Sequence, residues 1–389
     1  MKRILFVTPD LNVGGVQRAL IALLNTAPFD KFDITLLLFC EGGALREQVP
    51  SQVHIKVDTR VGRTEKLRAV ISKGLRKSRL NGLFDLAKKI YHRTGEAMVR
   101  TDHEERYDAA VAYSDGLATW YVAKSVQAER KIAFVHTDFL KAGYSARQER
   151  EIYSCFEQIV FAAQAARQSF LVVLPEWEDQ TAILPNVVDP QRVVELAKQP
   201  IPNPRQGIVK LATVGRLSHE KGAEKIPPLL YRLKASGQKV CWYVVGDGPE
   251  RNNILRQAQK LGVEEELILV GQLENPYPYM RECDVYVQPS EYEGYCIALA
   301  EAKILSRPIV ACDFAGAREQ IEDGVTGFVT GMGAEDLFPA ILTLASQPQK
   351  RIEFEQALAQ RNDAERTILQ ARCWWGNLDG QKLRKASNI

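Results

Sequence analysis

The sequence predicts an α/β protein of two doubly wound, Rossmann-like domains facing each other across a cleft. Three observations carry this. Short, β-rich apolar runs alternate with helical stretches along the whole 389-residue chain, a pattern of parallel sheets covered by helices on both faces. The alternation is broken once, at Gln199-Pro200-Ile201-Pro202-Asn203-Pro204-Arg205-Gln206-Gly207, where closely spaced prolines make a stiff, extended linker. No apolar run approaches the roughly 18 residues a membrane span needs. The domains are therefore expected at 1–200 and 201–369.

Composition narrows the class. An apolar share of 46% and a charged share of 25% are ordinary for a globular protein, and a net charge of +3 is too small to imply nucleic acid. The seven cysteines, at 40, 155, 241, 283, 296, 312 and 373, form no CxxC pair. Reduced thiols in the cytoplasm are expected, not a disulfide frame or a zinc site. The opening Met1-Lys2-Arg3-Ile4-Leu5-Phe6-Val7 reads as a first strand, too short for the apolar region of a signal peptide.

In the first half the expected strands are 4–7, 34–39, 53–57, 109–113, 132–135, 159–161 and 182–184. In the second they are 211–214, 241–245, 267–270, 285–288, 308–311 and 327–329. Ligands of such sheets bind beyond the carboxyl ends of the strands, so the residues just after each run carry the functional reading.

After the first strand comes Asn12-Val13-Gly14-Gly15-Val16-Gln17-Arg18. Gly14 and Gly15 permit close backbone approach, with a helix start behind them. The spacing is not the GxGxxG dinucleotide fingerprint, and a plain strand-to-helix turn is the simpler alternative. Residues 60–100 are strongly basic, including Arg76, Lys77, Arg79, Lys88 and Lys89, with Leu75, Leu80, Leu83, Phe84 and Leu86 interleaved. Such a stretch suits an anionic membrane surface; the alternative is a solvated helical face. His136 and Ser114-Asp115-Gly116 end two further strands. His54, His92, His103 and His219 have no metal-ligand spacing, so no metal site is expected.

In the second half, Thr213-Val214-Gly215-Arg216-Leu217-Ser218-His219-Glu220-Lys221-Gly222 follows a strand. Arg216 offers a planar fork and Lys221 a point charge, a pair suited to a diphosphate. Ser218 is placed to cap the next helix. Gly246-Asp247-Gly248-Pro249 is read as a tight turn keeping bulk away from a ligand, and Gly271-Gln272-Leu273 ends the next strand. Ser290-Glu291-Tyr292-Glu293-Gly294-Tyr295-Cys296-Ile297 then leads into a helix that carries Glu301. Ile297 and Ile304 share a helical face with Glu301, so this carboxylate needs a buried partner. Eight residues at helical rise put the backbones of Glu293 and Glu301 about 12 Å apart. The paired acids of a glycosidase sit about 5–9.5 Å apart, so these two read as clamps on different parts of one long ligand.

Taken together, the Gly14-Gly15 loop, His136, Asn186-Val187-Val188-Asp189, Gly215-Arg216-Leu217 with Lys221-Gly222, Gly246-Asp247-Gly248-Pro249, and Glu293-Gly294 with Glu301-Ala302 resemble the family 4 retaining glycosyltransferases of GT-B fold. The resemblance covers nearly the whole chain and is strongest over 208–330. It implies that the C-terminal domain binds a nucleotide-sugar, a UDP-sugar among the candidates, and the N-terminal domain a saccharide or lipid-linked saccharide acceptor in surface-polysaccharide assembly. It implies that Arg216 and Lys221 hold the diphosphate, Glu301 the ribose and Glu293 the donor sugar, with Gly294, Tyr295, Cys296 and Ile297 closing their backbone on it. Gln272 joins the substrate-binding set. His136 would touch the donor sugar and Gly14-Gly15 would approach the phosphates. No metal or cofactor is implied. A tail from about 370 would pack back on the N-terminal domain. Tyr295-Cys296-Ile297-Ala298 departs from the family's commoner Phe-Gly-x-Pro, which leaves the donor sugar open. The competing readings are a sugar-nucleotide epimerase of like architecture and a non-catalytic sugar-binding partner.

Overall fold

A computed structural model describes residues 1–61, 105–140 and 146–379. Most of the basic stretch at 60–100 lies outside the described residues. The chain forms two compact units, the second beginning at Pro185 and the first regaining the chain from Gln370.

The first unit holds strands β1 (Lys2–Thr8), β2 (Phe32–Leu38), β3 (His54–Val57), β4 (Arg106–Ala112), β5 (Gln127–Val135), β6 (Gln158–Phe161) and β7 (Thr181–Ile183). The second holds β8 (Val209–Val214), β9 (Val240–Val245), β10 (Leu267–Gly271), β11 (Val285–Gln288), β12 (Ile309–Cys312) and β13 (Gly327–Thr330). Every strand expected from the sequence is present. The sheets are ordered β3-β2-β1-β4-β5-β6-β7 and β10-β9-β8-β11-β12-β13. All their pairings are parallel. Both orders grow outward from a first strand and then reverse. That doubly wound pattern opens a crevice where the order switches, between β1 and β4 in one sheet and β8 and β11 in the other.

Burial explains why the strands were legible. Ile4, Phe6, Val7 and Leu38 in the first sheet, and Leu211, Trp242, Val244, Val285 and Val287 in the second, are almost wholly inaccessible. Strands covered on both faces read as continuous apolar runs. Two polar side chains inside the second sheet are paired: Trp242 Nε1 donates to Thr213 Oγ1 at 3.0 Å, and Thr213 Oγ1 donates to the Val287 carbonyl at 2.7 Å.

The domain boundary is corrected by the core. Val188, Val193, Ala197 and Ile201 all belong to the apolar cluster of the second unit. Val193 lies on the helix Pro190–Leu196 and the other three flank it; Asp189 caps this helix by accepting from the Arg192 backbone N–H at 3.0 Å. The division therefore falls at 184/185, about fifteen residues before the expected one. The prolines at 202 and 204 lie on an exposed segment inside the second unit. The end of the helix Asp363–Leu378 joins the first unit. There Trp374 and Trp375 are buried against Phe6, with ring centroids 6.5 and 5.7 Å away. Trp375 Nε1 also donates to Thr26 Oγ1 at 3.1 Å.

Candidate functional site

The second sheet changes direction between β8 and β11, and the charged candidates meet there. Lys221, in the loop after β8, places Nζ 2.5 Å from Glu293 Oε1, in the loop after β11. Close backbone packing brings these loops together. A β-carbon on Gly222, which has φ +64°, would lie 2.0 Å from the Pro289 carbonyl oxygen. Glu291 N–H donates to the Glu220 carbonyl at 2.9 Å. Lys225 ties the same loop down, donating to the Pro289 carbonyl at 3.0 Å and pairing with Glu291.

Burial, the largest single influence, would lower the Lys221 ammonium, but the surrounding groups, Glu293 first among them and then Cys296 and Glu220, together outweigh it and hold the group above its ordinary value. Lys221 is therefore a fixed positive charge, and Glu293 is its counter-ion. Ser290 Oγ also donates to Glu293 Oε1, at 2.9 Å. Glu301 is buried on the helix Ile297–Ile304 and accepts from Tyr277 Oη at 2.8 Å. This is the buried partner the sequence required, supplied by the helix Tyr277–Glu282.

At Gly246 the close approach is to backbone of the same unit. A β-carbon there would lie 1.9 Å from the Gly215 carbonyl oxygen, so the glycine lets the loops after β8 and β9 touch backbone to backbone. Ser218 makes no side-chain cap hydrogen bond to the short 3₁₀ turn His219–Lys221.

The remaining second-unit candidates divide by exposure. Arg216 and Gln272 are exposed on the loops after β8 and β10, and Gly294 is buried. Cys296 stands immediately before the helix Ile297–Ile304 with φ 62°, in the left-handed region that a side chain rarely adopts. Burial pushes its thiol well above the ordinary range. The Gln320 side-chain amide donates to the carbonyls of Tyr295 and Cys296, fixing the strained turn.

In the first unit, Gly14 is the extended residue before the helix Gly15–Asn25, where no side chain caps the helix. The first N–H groups are thus left to an outside acceptor. His136 follows β5, and its backbone N–H donates to Asp115 Oδ2 at 3.1 Å, beyond the end of β4. Its ring lies 5.0 Å from that of Tyr113. Burial lowers the imidazole to about 4 and raises the Asp115 carboxyl to about 6. His136 is therefore neutral at pH 7, and neither ring nitrogen has a partner among the described residues.

Sequence reasoning missed Lys225 and the polar side chains Tyr286 and Gln288 inside β11. The signal for the latter was available: two polar groups alternate with apolar ones, Val285-Tyr286-Val287-Gln288, in an otherwise apolar run. Among the described residues, no group of three or more His, Cys, Asp or Glu side chains is arranged to hold a metal ion.

Residues 197–361 match the family model described as glycosyl transferases group 1. The chain is similar to the amylovoran biosynthesis glycosyltransferase AmsD of Erwinia amylovora, 32% identical over 39% of this chain and 43% of the relative. It is also similar to an N-acetylgalactosaminyltransferase of Campylobacter jejuni that acts on N-acetylgalactosamine-N,N'-diacetylbacillosaminyl-diphospho-undecaprenol, 27% identical over 47% of this chain and 49% of the relative. The chain thus spans less than half the length of these curated relatives. The crystal structure of Anabaena HepE in complex with UDP and glucose superposes with a TM-score of 0.71 and 19% identity, over 98% of this chain and all of that one. The fold is that of the GT-B glycosyltransferases.

Proposed function

We propose that this chain, whose residues 197–361 match the glycosyl transferases group 1, is a retaining, metal-independent glycosyltransferase. It moves a sugar from a nucleotide-sugar to a saccharide or lipid-linked saccharide acceptor in surface-polysaccharide synthesis. The observation that carries this reading is the Lys221–Glu293 pair at the point where the second sheet reverses. A long ligand lying there meets a fixed cation, an exposed Arg216 on the same loop, and two carboxylates set apart. A nucleoside diphosphate-sugar has the matching parts. Its diphosphate takes Lys221 and Arg216, its ribose takes Glu301, and its sugar takes Glu293 and the backbone at 294–297. UDP is favoured as the nucleotide because HepE, of the same fold, was solved with UDP-glucose as well as with UDP and glucose.

In the reaction, the bond from the anomeric carbon to the leaving phosphate oxygen breaks. The acceptor oxygen bonds to that carbon on the same face, and the acceptor proton passes to the leaving phosphate. Lys221 and Arg216 stabilise the charge gathering on the diphosphate, the task a metal ion performs elsewhere. Neutral His136 and the uncapped turn at Gly14-Gly15 complete the set by hydrogen bonding. The acceptor reading draws on the undecaprenol-linked acceptor of the Campylobacter relative. The basic stretch at 60–100 would hold the protein on the cytoplasmic face of an anionic membrane.

A thermal-shift panel of nucleotide-sugars tests the donor, since a ligand at about 100 times its Kd adds roughly 2.7 kcal/mol. Proton NMR of the product tests the stereochemistry. Retention requires the anomeric configuration of the donor, and the opposite configuration overturns it. Vesicle co-sedimentation that is equal with neutral and anionic lipid overturns the membrane role.

A further inference from the structure

Glu293 is held asymmetrically. Lys221 Nζ at 2.5 Å and Ser290 Oγ at 2.9 Å both donate to Oε1, and Gln288 Nε2 lies 3.5 Å from the same atom. Oε2 has no partner among the described residues and is not among the buried unpaired atoms. One carboxylate oxygen is thus saturated, and the other is presented outward.

The saturated side continues inward. Tyr286 Oη donates to Gln288 Oε1 at 2.8 Å, Gln288 Nε2 donates to Ser290 Oγ at 2.8 Å, and Ser290 Oγ donates a hydrogen bond to Glu293 Oε1. Residues 286, 288 and 290 recur every second position, which sets them on one face of β11 and its extension. Across the sheet, Tyr286 is in register with Ala212 on one side and Ile309 on the other, and Gln288 with Ala311. Gln288 is 1% exposed and Ser290 is fully buried. Burial pushes the Tyr286 phenol well above its ordinary value, so it stays protonated and keeps a proton to donate; Gln288 Oε1 at 2.8 Å is a nearer acceptor than the Val214 carbonyl at 3.4 Å. The glutamine amide gives the chain its direction: its oxygen takes the tyrosine proton and its nitrogen supplies the serine.

We propose that Tyr286, Gln288 and Ser290 form a positioning relay that fixes Glu293 with Oε2 turned toward a hydroxyl of the donor sugar, making them specificity-determining residues. The relay rests on the donor-sugar role proposed for Glu293. It acts through Glu293 and touches no substrate itself. With the relay intact, the carboxylate has one orientation, and a sugar hydroxyl is recognised only where Oε2 points. Without it, the carboxylate turns about Lys221 and recognition of that hydroxyl is lost. A missing hydroxyl costs most where the protein group it leaves behind is fixed.

The test separates sugar from nucleotide. Titration calorimetry compares UDP with UDP-glucose in the wild type, Gln288→Leu and the milder Tyr286→Phe, which removes one hydroxyl, with melting temperatures measured alongside. The expected result is an unchanged UDP affinity in all three. The extra affinity and turnover conferred by the glucosyl group should fall about 10-fold in Gln288→Leu and about 3-fold in Tyr286→Phe, the scale of one or two hydrogen bonds. Both effects should vanish in a Glu293→Gln background, since residues acting through one group are non-additive. A glucosyl increment that survives Gln288→Leu, or a Tyr286→Phe effect that persists in Glu293→Gln, overturns the relay while leaving the proposed function standing. Failure of the wild type to bind any nucleotide or nucleotide-sugar overturns both.

Discussion

The two sheets are topological copies with opposite chemistry at the same place. Each switches direction beside its first strand, between β1 and β4 and between β8 and β11, and candidate residues follow the strands there. In the first unit the cluster is electrically quiet: an imidazole lowered by burial, a carboxyl raised by burial, and an uncapped helix start. In the second it is charged: Lys221 held positive by Glu293, Lys225 paired with Glu291, and Arg216 exposed on the loop. Topology supplies the crevice, and the side chains at the strand ends decide what it can hold. The contrast suits the division we propose, with the diphosphate on the second unit and neutral hydroxyl groups met by the first.

The largest expected effect falls on the charged side. Arg216→Ala should cut turnover by at least ~10²-fold, the scale for one lost transition-state charge partner, while leaving the melting temperature near wild type. Lys221→Ala should lose as much turnover and also lower stability, because it leaves the largely buried Glu293 carboxylate without its counter-ion. Restoring stability but not turnover with Lys221→Ala/Glu293→Gln would confirm that the two losses have different origins. Near-native turnover in either single variant at saturating donor would falsify the diphosphate assignment.

Next is Gly246→Ala, which drives a β-carbon into the Gly215 carbonyl and should cost on the order of 3 kcal/mol by urea unfolding. A cost under about 0.5 kcal/mol would mean that the loops after β8 and β9 part easily and that the charged site is not set by their packing.

The quiet side gives a smaller, pH-dependent signal. The His136 imidazole is lowered in the fold, so its contribution is full above its unfolded value near 6.5 and is lost as pH falls toward about 4. Asp115 is raised to about 6, so its protonation offsets part of that loss over the same window. Between pH 6.5 and 4 the wild type should therefore lose on the order of 2 kcal/mol that His136→Gln does not lose. Parallel pH profiles for the two proteins would remove the buried imidazole from the account. The smallest effect is none at all: turnover should persist in excess chelator, and loss that magnesium restores would refute the metal-free reading.

Much of this was legible in the sequence. The strands showed because both faces of each sheet are covered, which turns them into apolar runs. Arg216, Lys221, Glu293 and Glu301 showed because strand-end loops carry chemistry on doubly wound sheets. The domain boundary was misplaced because prolines at 200–204 are visible punctuation. The membership of Val188 and Val193 in the second core is a matter of tertiary packing that no local pattern announces. The packing role of Gly246 was hidden for the same reason, its neighbour being a backbone thirty-one residues earlier. The Tyr286–Gln288–Ser290 chain went unnoticed because two polar residues in a buried strand look like tolerated exceptions until their partners are known.

The central claim is that the second unit holds a nucleoside diphosphate-sugar through Lys221 and Glu293. Calorimetric titration of UDP and of UDP-glucose into the wild type, Lys221→Ala/Glu293→Gln and Glu293→Gln tests it most directly. The account predicts that the double variant loses most of the affinity for UDP itself, whereas Glu293→Gln keeps UDP affinity and loses the increment due to the sugar. Equal UDP affinity in all three proteins would contradict it.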